Sequence, residues 1–309
     1  MITADQQVKD DMMSTNKPNK ILEELQPEKD FFIGIDSDGC VFDTMEIKHK
    51  ECFIPNNIKY WNLQAVSKFA RETAEFVNLY SRWRGINRFP ALVMSLDLLR
   101  DWKDVQKRQA SIPELAEVRA FIDSGRPLSN PSLDEYIAEK GETEELARAR
   151  EWSHAVNRTV DDIVNGIPPF PYVRDSLEKL QDTADMLVVS ATPGNALNKE
   201  WSESKIDHFV RVIAGQEMGS KKEHLALAAG NKYKEGRVLM IGDAPGDMKA
   251  AKDNNALFYP IMPGEEDVSW QRFYEEAADV FIRGDFAGSY EEKLISEFLD
   301  HLPETPPWK

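Results

Sequence analysis

Phe31-Phe32-Ile33-Gly34-Ile35-Asp36-Ser37-Asp38-Gly39-Cys40-Val41-Phe42-Asp43 is the stretch whose reading decides the fold. Five largely apolar residues predict a buried strand, and two carboxylates follow at its carboxyl end, where α/β folds hold their chemistry. Gly39 then permits a sharp turn. Carboxylates two residues apart on a regular strand point to opposite faces, but Asp36 at the strand end and Asp38 on the turning loop can address one cleft. Taken alone, Asp-x-Asp-Gly is equally compatible with a turn or helix-capping pair, so the rest of the chain has to decide.

Downstream of Asp43 the alternation of strand and helix stops for more than a hundred residues. Val66, Phe69, Ala70, Thr73, Phe76, Val77 and Tyr80 recur at the three-to-four spacing of a core-facing helix stripe. Further helices are expected at 91–107, 113–123, 131–140 and 143–163, punctuated by Gly85, Pro90, Pro113, Gly125, Pro127, Pro131 and Gly141. After the rigid segment Gly166-Ile167-Pro168-Pro169-Phe170-Pro171 alternation resumes. A helix from Val173 to Leu180 leads to the apolar run Met186-Leu187-Val188-Val189, which ends in Ser190. Strands are then expected at Val210 to Ala214, Val238 to Gly242, Ala256 to Ile261 and Asp279 to Ile282. Helices are expected near 222–229, 246–253, 265–278 and 289–300. Continuous apolar runs separated by helices imply a parallel sheet covered on both faces. The expected architecture is a Rossmann-like α/β core over 28–46 and 166–309, an all-helical cap domain inserted at 47–165, and an N-terminal extension at 1–27.

Composition limits the function classes. The chain has 309 residues, 41% of them apolar and 30% charged, with seven tryptophans, which suits a folded, soluble, enzyme-sized body. A net charge of -16 disfavours general binding to nucleic acid or to an anionic membrane. No window approaches the roughly 20 apolar residues of a membrane span, and the first residues lack the apolar core of a signal peptide. Cys40 and Cys52 form no CxxC, and a reducing, cytoplasmic setting is expected.

Three strands end in polar residues of different kinds: Asp36 and Asp38, then Ser190, then Asp243 with Asp247 in Gly242-Asp243-Ala244-Pro245-Gly246-Asp247. In a parallel sheet these ends gather at one edge. Four acids so close repel one another unless a hard cation joins them, and oxygen ligands suit Mg²⁺. Lys221 can supply a further positive charge, although one lysine of a Lys221-Lys222 pair is ordinarily a solvated surface residue.

These residues resemble the four ordered motifs of the haloacid dehalogenase-like hydrolases. Asp36-Ser37-Asp38-Gly39 matches the first motif, Ser190 the second, Lys221 the third, and Gly242-Asp243 with Asp247 the fourth. The resemblance covers about 28–43 and 168–262. It implies that Asp36 is a nucleophile transiently phosphorylated and that Asp38 is general acid and then general base. It further implies that Ser190 and the backbone N–H of Ala191 hold phosphoryl oxygens and that Lys221 neutralises charge. Mg²⁺ is then held by Asp36, the Asp38 carbonyl, Asp243 and Asp247. An Asp at position 38 favours phosphate esters over dehalogenation, which has no leaving alkoxide to protonate. The substrate class implied is a small phosphorylated molecule. A phosphomutase, a phosphonatase that uses a cap lysine such as Lys48 or Lys50, and a catalytically silent phosphate-ligand binder remain open alternatives. Within the insertion, Ser81-Arg82-Trp83-Arg84-Gly85-Ile86-Asn87-Arg88 offers Arg82, Arg84 and Arg88 as candidates for an anionic substrate, or equally as helix-end arginines satisfying carbonyls. Asp43 is read as a turn or cap residue.

Overall fold

The computed structural model describes residues 18–309. The chain divides into two compact units, one running to Asp43 and resuming over Pro168–Phe298, the other comprising Thr44–Ile167 with Leu299–Lys309. Among the described residues no helix is long and apolar enough to cross a membrane.

The first unit is built on five parallel strands, β1 (Phe31–Ile35), β2 (Ala184–Val189), β3 (Val212–Ala214), β4 (Val238–Gly242) and β5 (Leu257–Pro260), in the order β3-β2-β1-β4-β5. All residues of β1 and β2 are buried, which is why β1 and the Met186–Val189 part of β2 read as apolar runs. β1 lies in the middle, with Ile35 opposite Val188 of β2 on one side and Ile241 of β4 on the other. Helices Val173–Leu180, Gly194–Glu203, Lys221–Ala229 and Pro245–Asp253 carry the connections between strands. The chain winds outward from β1 in both directions, and right-handed crossovers then place helices on both faces. The strand order reverses beside β1, where open α/β sheets place their ligand crevice.

Two expectations need correction. Asp279 to Ile282 is not a strand but part of helix Ala278–Arg283, which continues helix Glu266–Arg272 through a wider turn at Phe273–Ala277. Its buried residues Ala277, Ala278 and Phe281 recur at helical spacing, and the Phe281 ring packs edge-on against Phe31 of β1 at 5.1 Å. Too few residues separated that spacing from a strand pattern. The expected extension at 1–27 falls partly outside the described residues; from residue 18 onward it packs with the sheet unit. Leu22 of helix Lys20–Glu24 is fully buried. Lys232 Nζ donates to the carbonyls of Leu22, Glu23 and Leu25 at 3.0, 3.0 and 2.9 Å, meeting acceptors that the helix end leaves open.

The second unit is helical. Its longest helix, Glu144–Ile163, starts at Thr143, whose hydroxyl accepts from the Leu146 amide at 3.2 Å. Trp152 from that helix donates to Asn57 Oδ1 at 2.8 Å and packs against Trp61 and Phe89 in the core of this unit. The helix expected at 91–107 forms as Arg88–Asp101 and Lys103–Gln106, separated by Trp102 in an extended conformation. The Trp102 indole stacks on Trp308 near the C-terminus, with centroids 4.2 Å apart.

Candidate active site

The site is assembled at the carboxyl ends of β1, β2 and β4. The Asp36 amide still donates to Ile241 O at 3.0 Å, so the aspartate is held as if the strand continued. The chain then turns: the Ser37 carbonyl accepts from the amides of Cys40, Val41 and Phe42 at 3.3, 2.9 and 3.2 Å, and Gly39 takes a φ of 74°. Only glycine adopts that backbone without strain. Two buried tryptophans lock the turn. Trp201 Nε1 donates to Ser37 Oγ at 3.0 Å, and Trp270 Nε1 donates to Cys40 O at 2.7 Å. Neither tryptophan was singled out from the sequence, because each lies on a helix far along the chain and is indistinguishable there from an ordinary core residue.

Asp36, Asp243 and Asp247 come together as a buried cluster whose nearest carboxylate oxygens all lie within 4.8 Å of one another. Lys221 Nζ donates to Asp36 Oδ2 at 2.7 Å and to Asp247 Oδ1 at 2.6 Å. The other oxygen of Asp247 accepts from the Ala244 amide at 3.1 Å in the first turn of helix Pro245–Asp253. Gly242 is required for this approach: a Cβ there would meet the Asp247 Cβ at 2.5 Å and its carboxylate at 2.6 Å. Lys221 therefore is not the solvated surface lysine that its pairing with Lys222 allows. It begins helix Lys221–Ala229, entered through a capping box in which Ser220 Oγ accepts from the Glu223 amide at 3.3 Å and Glu223 Oε2 accepts from the Ser220 amide at 2.7 Å. The Ser-x-x-Glu pattern of 220–223 was a legible signal for that helix start.

The electrostatics follow from burial. Burial pushes the Asp36 carboxyl well above its ordinary value, and repulsion from Asp247 and Asp243 adds to it against the opposing Lys221 ammonium. Burial also raises Asp247, with Asp243 contributing and Lys221 opposing. For Lys221 burial alone would favour the neutral amine, but the three carboxylates outweigh it and hold the ammonium. Three acids thus face one ammonium, and the buried Oδ1 of Asp36 accepts no hydrogen bond from any described residue. Oxygen donors in that number, with a negative excess, fit a hard divalent cation such as Mg²⁺.

Asp38 stands apart from the cluster. Its side chain is partly exposed, and Oδ2 accepts from Thr192 Oγ1 at 2.6 Å. The contribution expected of it toward a metal is its main-chain carbonyl, so the separation of its carboxylate is compatible with that reading. Ser190 is buried at the end of β2; its amide donates to Ala214 O at 3.0 Å, and its Oγ accepts from the Thr192 amide at 3.2 Å. Ala191 is exposed on the same loop.

Arg82, Arg84 and Arg88 are engaged within the helical unit. Arg82 donates to Leu299 O and Leu302 O, both at 3.3 Å, and pairs with Glu304 at 3.1 Å. Arg84 is buried and donates to Leu79 O at 3.0 Å. Arg88 Nη1 donates to Ser153 O, Ser153 Oγ and Asn157 Oδ1, and its guanidinium lies over the Phe53 ring. These are the carbonyl-satisfying roles that stood beside substrate binding in the sequence.

A family model described as haloacid dehalogenase-like hydrolase matches residues 114–259, a span holding Ser190, Lys221, Asp243 and Asp247. No curated protein sequence matches the chain. Among solved structures, the haloacid dehalogenase-like family protein SP0104 from Streptococcus pneumoniae aligns at 15% identity over 78% of this chain and 90% of its own, with a TM-score of 0.41. A protein assigned as a phosphoglycolate phosphatase from Lactobacillus delbrueckii aligns at 15% identity over 84% and 100%, with a TM-score of 0.47. YfnB from Bacillus subtilis, in a magnesium-bound structure, aligns at 13% identity over 75% and 86%, with a TM-score of 0.43.

Proposed function

We propose that the chain is a haloacid dehalogenase-like hydrolase, the family whose model matches residues 114–259, and that within that family it is a Mg²⁺-dependent phosphatase of a small phosphomonoester, working through a phosphorylated Asp36. The observation that carries this reading is the contrast between two aspartates two residues apart. Asp36 is buried against Lys221 and two further acids, whereas Asp38 is partly exposed and bonded to a neutral hydroxyl. Environments that differ so much assign different protonation tasks to chemically identical groups.

In the first step a carboxylate oxygen of Asp36 attacks phosphorus, the ester P–O bond breaks, and the leaving oxygen takes a proton from the Asp38 carboxyl. In the second, water attacks the phosphorus of the acyl phosphate and gives its proton to Asp38. The bond to Asp36 then breaks and phosphate leaves. Lys221 holds Asp36 in place and balances charge on the transferring group, while Ser190 and the Ala191 amide supply donors to its oxygens. Mg²⁺ held by Asp36, Asp243, Asp247 and the Asp38 carbonyl would supply concentrated positive charge for the phosphoryl oxygens. In this reading the helical insertion at 47–165 is a cap, to which substrate choice is assigned. The compartment is cytoplasmic, a reading supported by the free, buried thiols Cys40 and Cys52.

The test is turnover of p-nitrophenyl phosphate with Mg²⁺ by the wild type and by Asp36→Asn. The wild type is expected to release phosphate, and the variant to lose activity while keeping its circular dichroism spectrum. Turnover by the variant at the wild-type rate would sink the assignment.

A further inference from the structure

We propose that Thr192 is a positioning residue for Asp38, fixing the carboxyl that delivers a proton to the leaving oxygen. The proposal rests on the phosphatase reading above and deepens it. Thr192 lies two residues beyond Ser190 on the loop after β2, and Asp38 lies on the turn after β1; these neighbouring strands are in register up to Ile35 and Val188. Thr192 Oγ1 donates to Asp38 Oδ2 at 2.6 Å, an ordinary distance for a hydroxyl donating to a carboxylate oxygen.

The threonine is itself held from two sides. Its amide donates to Ser190 Oγ at 3.2 Å, and its carbonyl accepts from the Gln216 amide at 3.1 Å. Its hydroxyl therefore reaches Asp38 from a loop pinned to the ends of β2 and β3. Asp38 is partly exposed at a turn, where a carboxyl left to itself samples several rotamers. A hydroxyl is suited to holding a group that gains and loses a proton in each turnover, because it can donate to a carboxylate and still donate to, or accept from, a carboxyl. A lysine or backbone amide lacks that versatility. Lys221 is occupied by Asp36 and Asp247, so the division of partners keeps the two aspartates in separate roles.

A residue that only supports the fold would depress turnover of all substrates alike. A residue that positions the proton donor matters most when the leaving group is a poor one. The experiment measures kcat/KM with Mg²⁺ for the wild type, Thr192→Val and Thr192→Ser on 2,4-dinitrophenyl phosphate and on phenyl phosphate. Melting temperatures confirm that each variant folds. General acid catalysis contributes about 10²–10⁴-fold. Loss of orientation alone is expected to remove about 10- to 100-fold of this on phenyl phosphate in Thr192→Val, and less than about 3-fold on the dinitrophenyl ester. Thr192→Ser is expected to stay within about 3-fold of wild type on both. Equal losses on the two esters, or a serine variant as impaired as the valine variant, overturn the positioning role while leaving the phosphatase reading intact. A wild type that hydrolyses neither ester removes both.

Discussion

Replacing Lys221 with Met removes the ammonium that bridges two buried carboxylates while keeping most of the side-chain length. The two contacts are 2.7 Å to Asp36 and 2.6 Å to Asp247, and the lysine side chain is 19% exposed against 4% and 0% for its partners. At an effective dielectric of about 20, each contact represents on the order of 6 kcal/mol of attraction before desolvation is counted. Desolvation consumes much of this, and removing one partner of a buried pair costs a net of about 3–5 kcal/mol. The acids can relieve part of the loss by taking up protons, since burial already raises both Asp36 and Asp247. The lower end, about 3 kcal/mol, is therefore expected in chelator, equivalent to a fall in melting temperature of about 6–12 °C at the entropies typical of units this size. Mg²⁺ is expected to raise the melting temperature of Lys221→Met more than that of the wild type, because a cation then meets carboxylates left without their ammonium. Hydrolysis of p-nitrophenyl phosphate with saturating Mg²⁺ is expected to fall by about 10²–10³ in kcat, the scale of losing one preorganised donor to the transferring group. A variant that melts with the wild type in chelator, or turns over within about 3-fold of it, would refute the assignment of Lys221 as the charge-balancing residue of the site.

Two further perturbations address the close packing of the site and the anchoring beneath the sheet. Gly242→Ala puts a methyl group where the Asp247 side chain lies, 2.5 Å from its Cβ, and is expected to weaken apparent Mg²⁺ affinity and activity by about 10- to 100-fold; titration of activity against Mg²⁺ checks it, and an unchanged midpoint contradicts the steric argument. Asp185, buried on β2, accepts from the Glu28 and Lys29 amides, Tyr233 Oη and Arg211 at 2.7–3.1 Å. Burial alone would raise its carboxyl, but the bonds from Tyr233 and the two amides, with the Arg211 charge, hold it below the ordinary value of 3.8. Its stabilising contribution is thus present above pH 3.8 and lost as pH falls through the depressed folded value. Asp185→Asn is expected to be less stable than wild type by about 3 kcal/mol near neutrality, with the gap closing in acid; a gap independent of pH would show that the charge of Asp185 has no part in it.

Much of the sheet was legible from local pattern alone, since a strand buried on both faces is largely apolar, and β1, the Met186–Val189 part of β2 and β4 are short runs of that kind followed by Asp36, Ser190 and Asp243. Their convergence also followed from the chain, because parallel strands joined by helices put like ends at one edge. The charge argument for a cation needed only the count of acids at that edge. Other features depended on which surface each segment meets. The segment Ala278–Arg283 is apolar enough for a strand but forms a helix, from which Phe281 packs on Phe31. Arg82, Arg84 and Arg88 are chemically equipped for phosphate, and their engagement with carbonyls follows from the folding of the helices around them.

Asp36 and Asp38 show the division most clearly. Their identity and spacing, and hence the presence of two carboxylates at the end of β1, were determined by the sequence. Their difference in surroundings was decided by the tertiary structure, because burial and the nearest donors to a carboxylate depend on which distant segments pack against it. Lys221, Asp243 and Asp247 reach Asp36, Thr192 reaches Asp38, and Trp201 and Trp270 hold the turn between them, all from segments more than a hundred residues away along the chain.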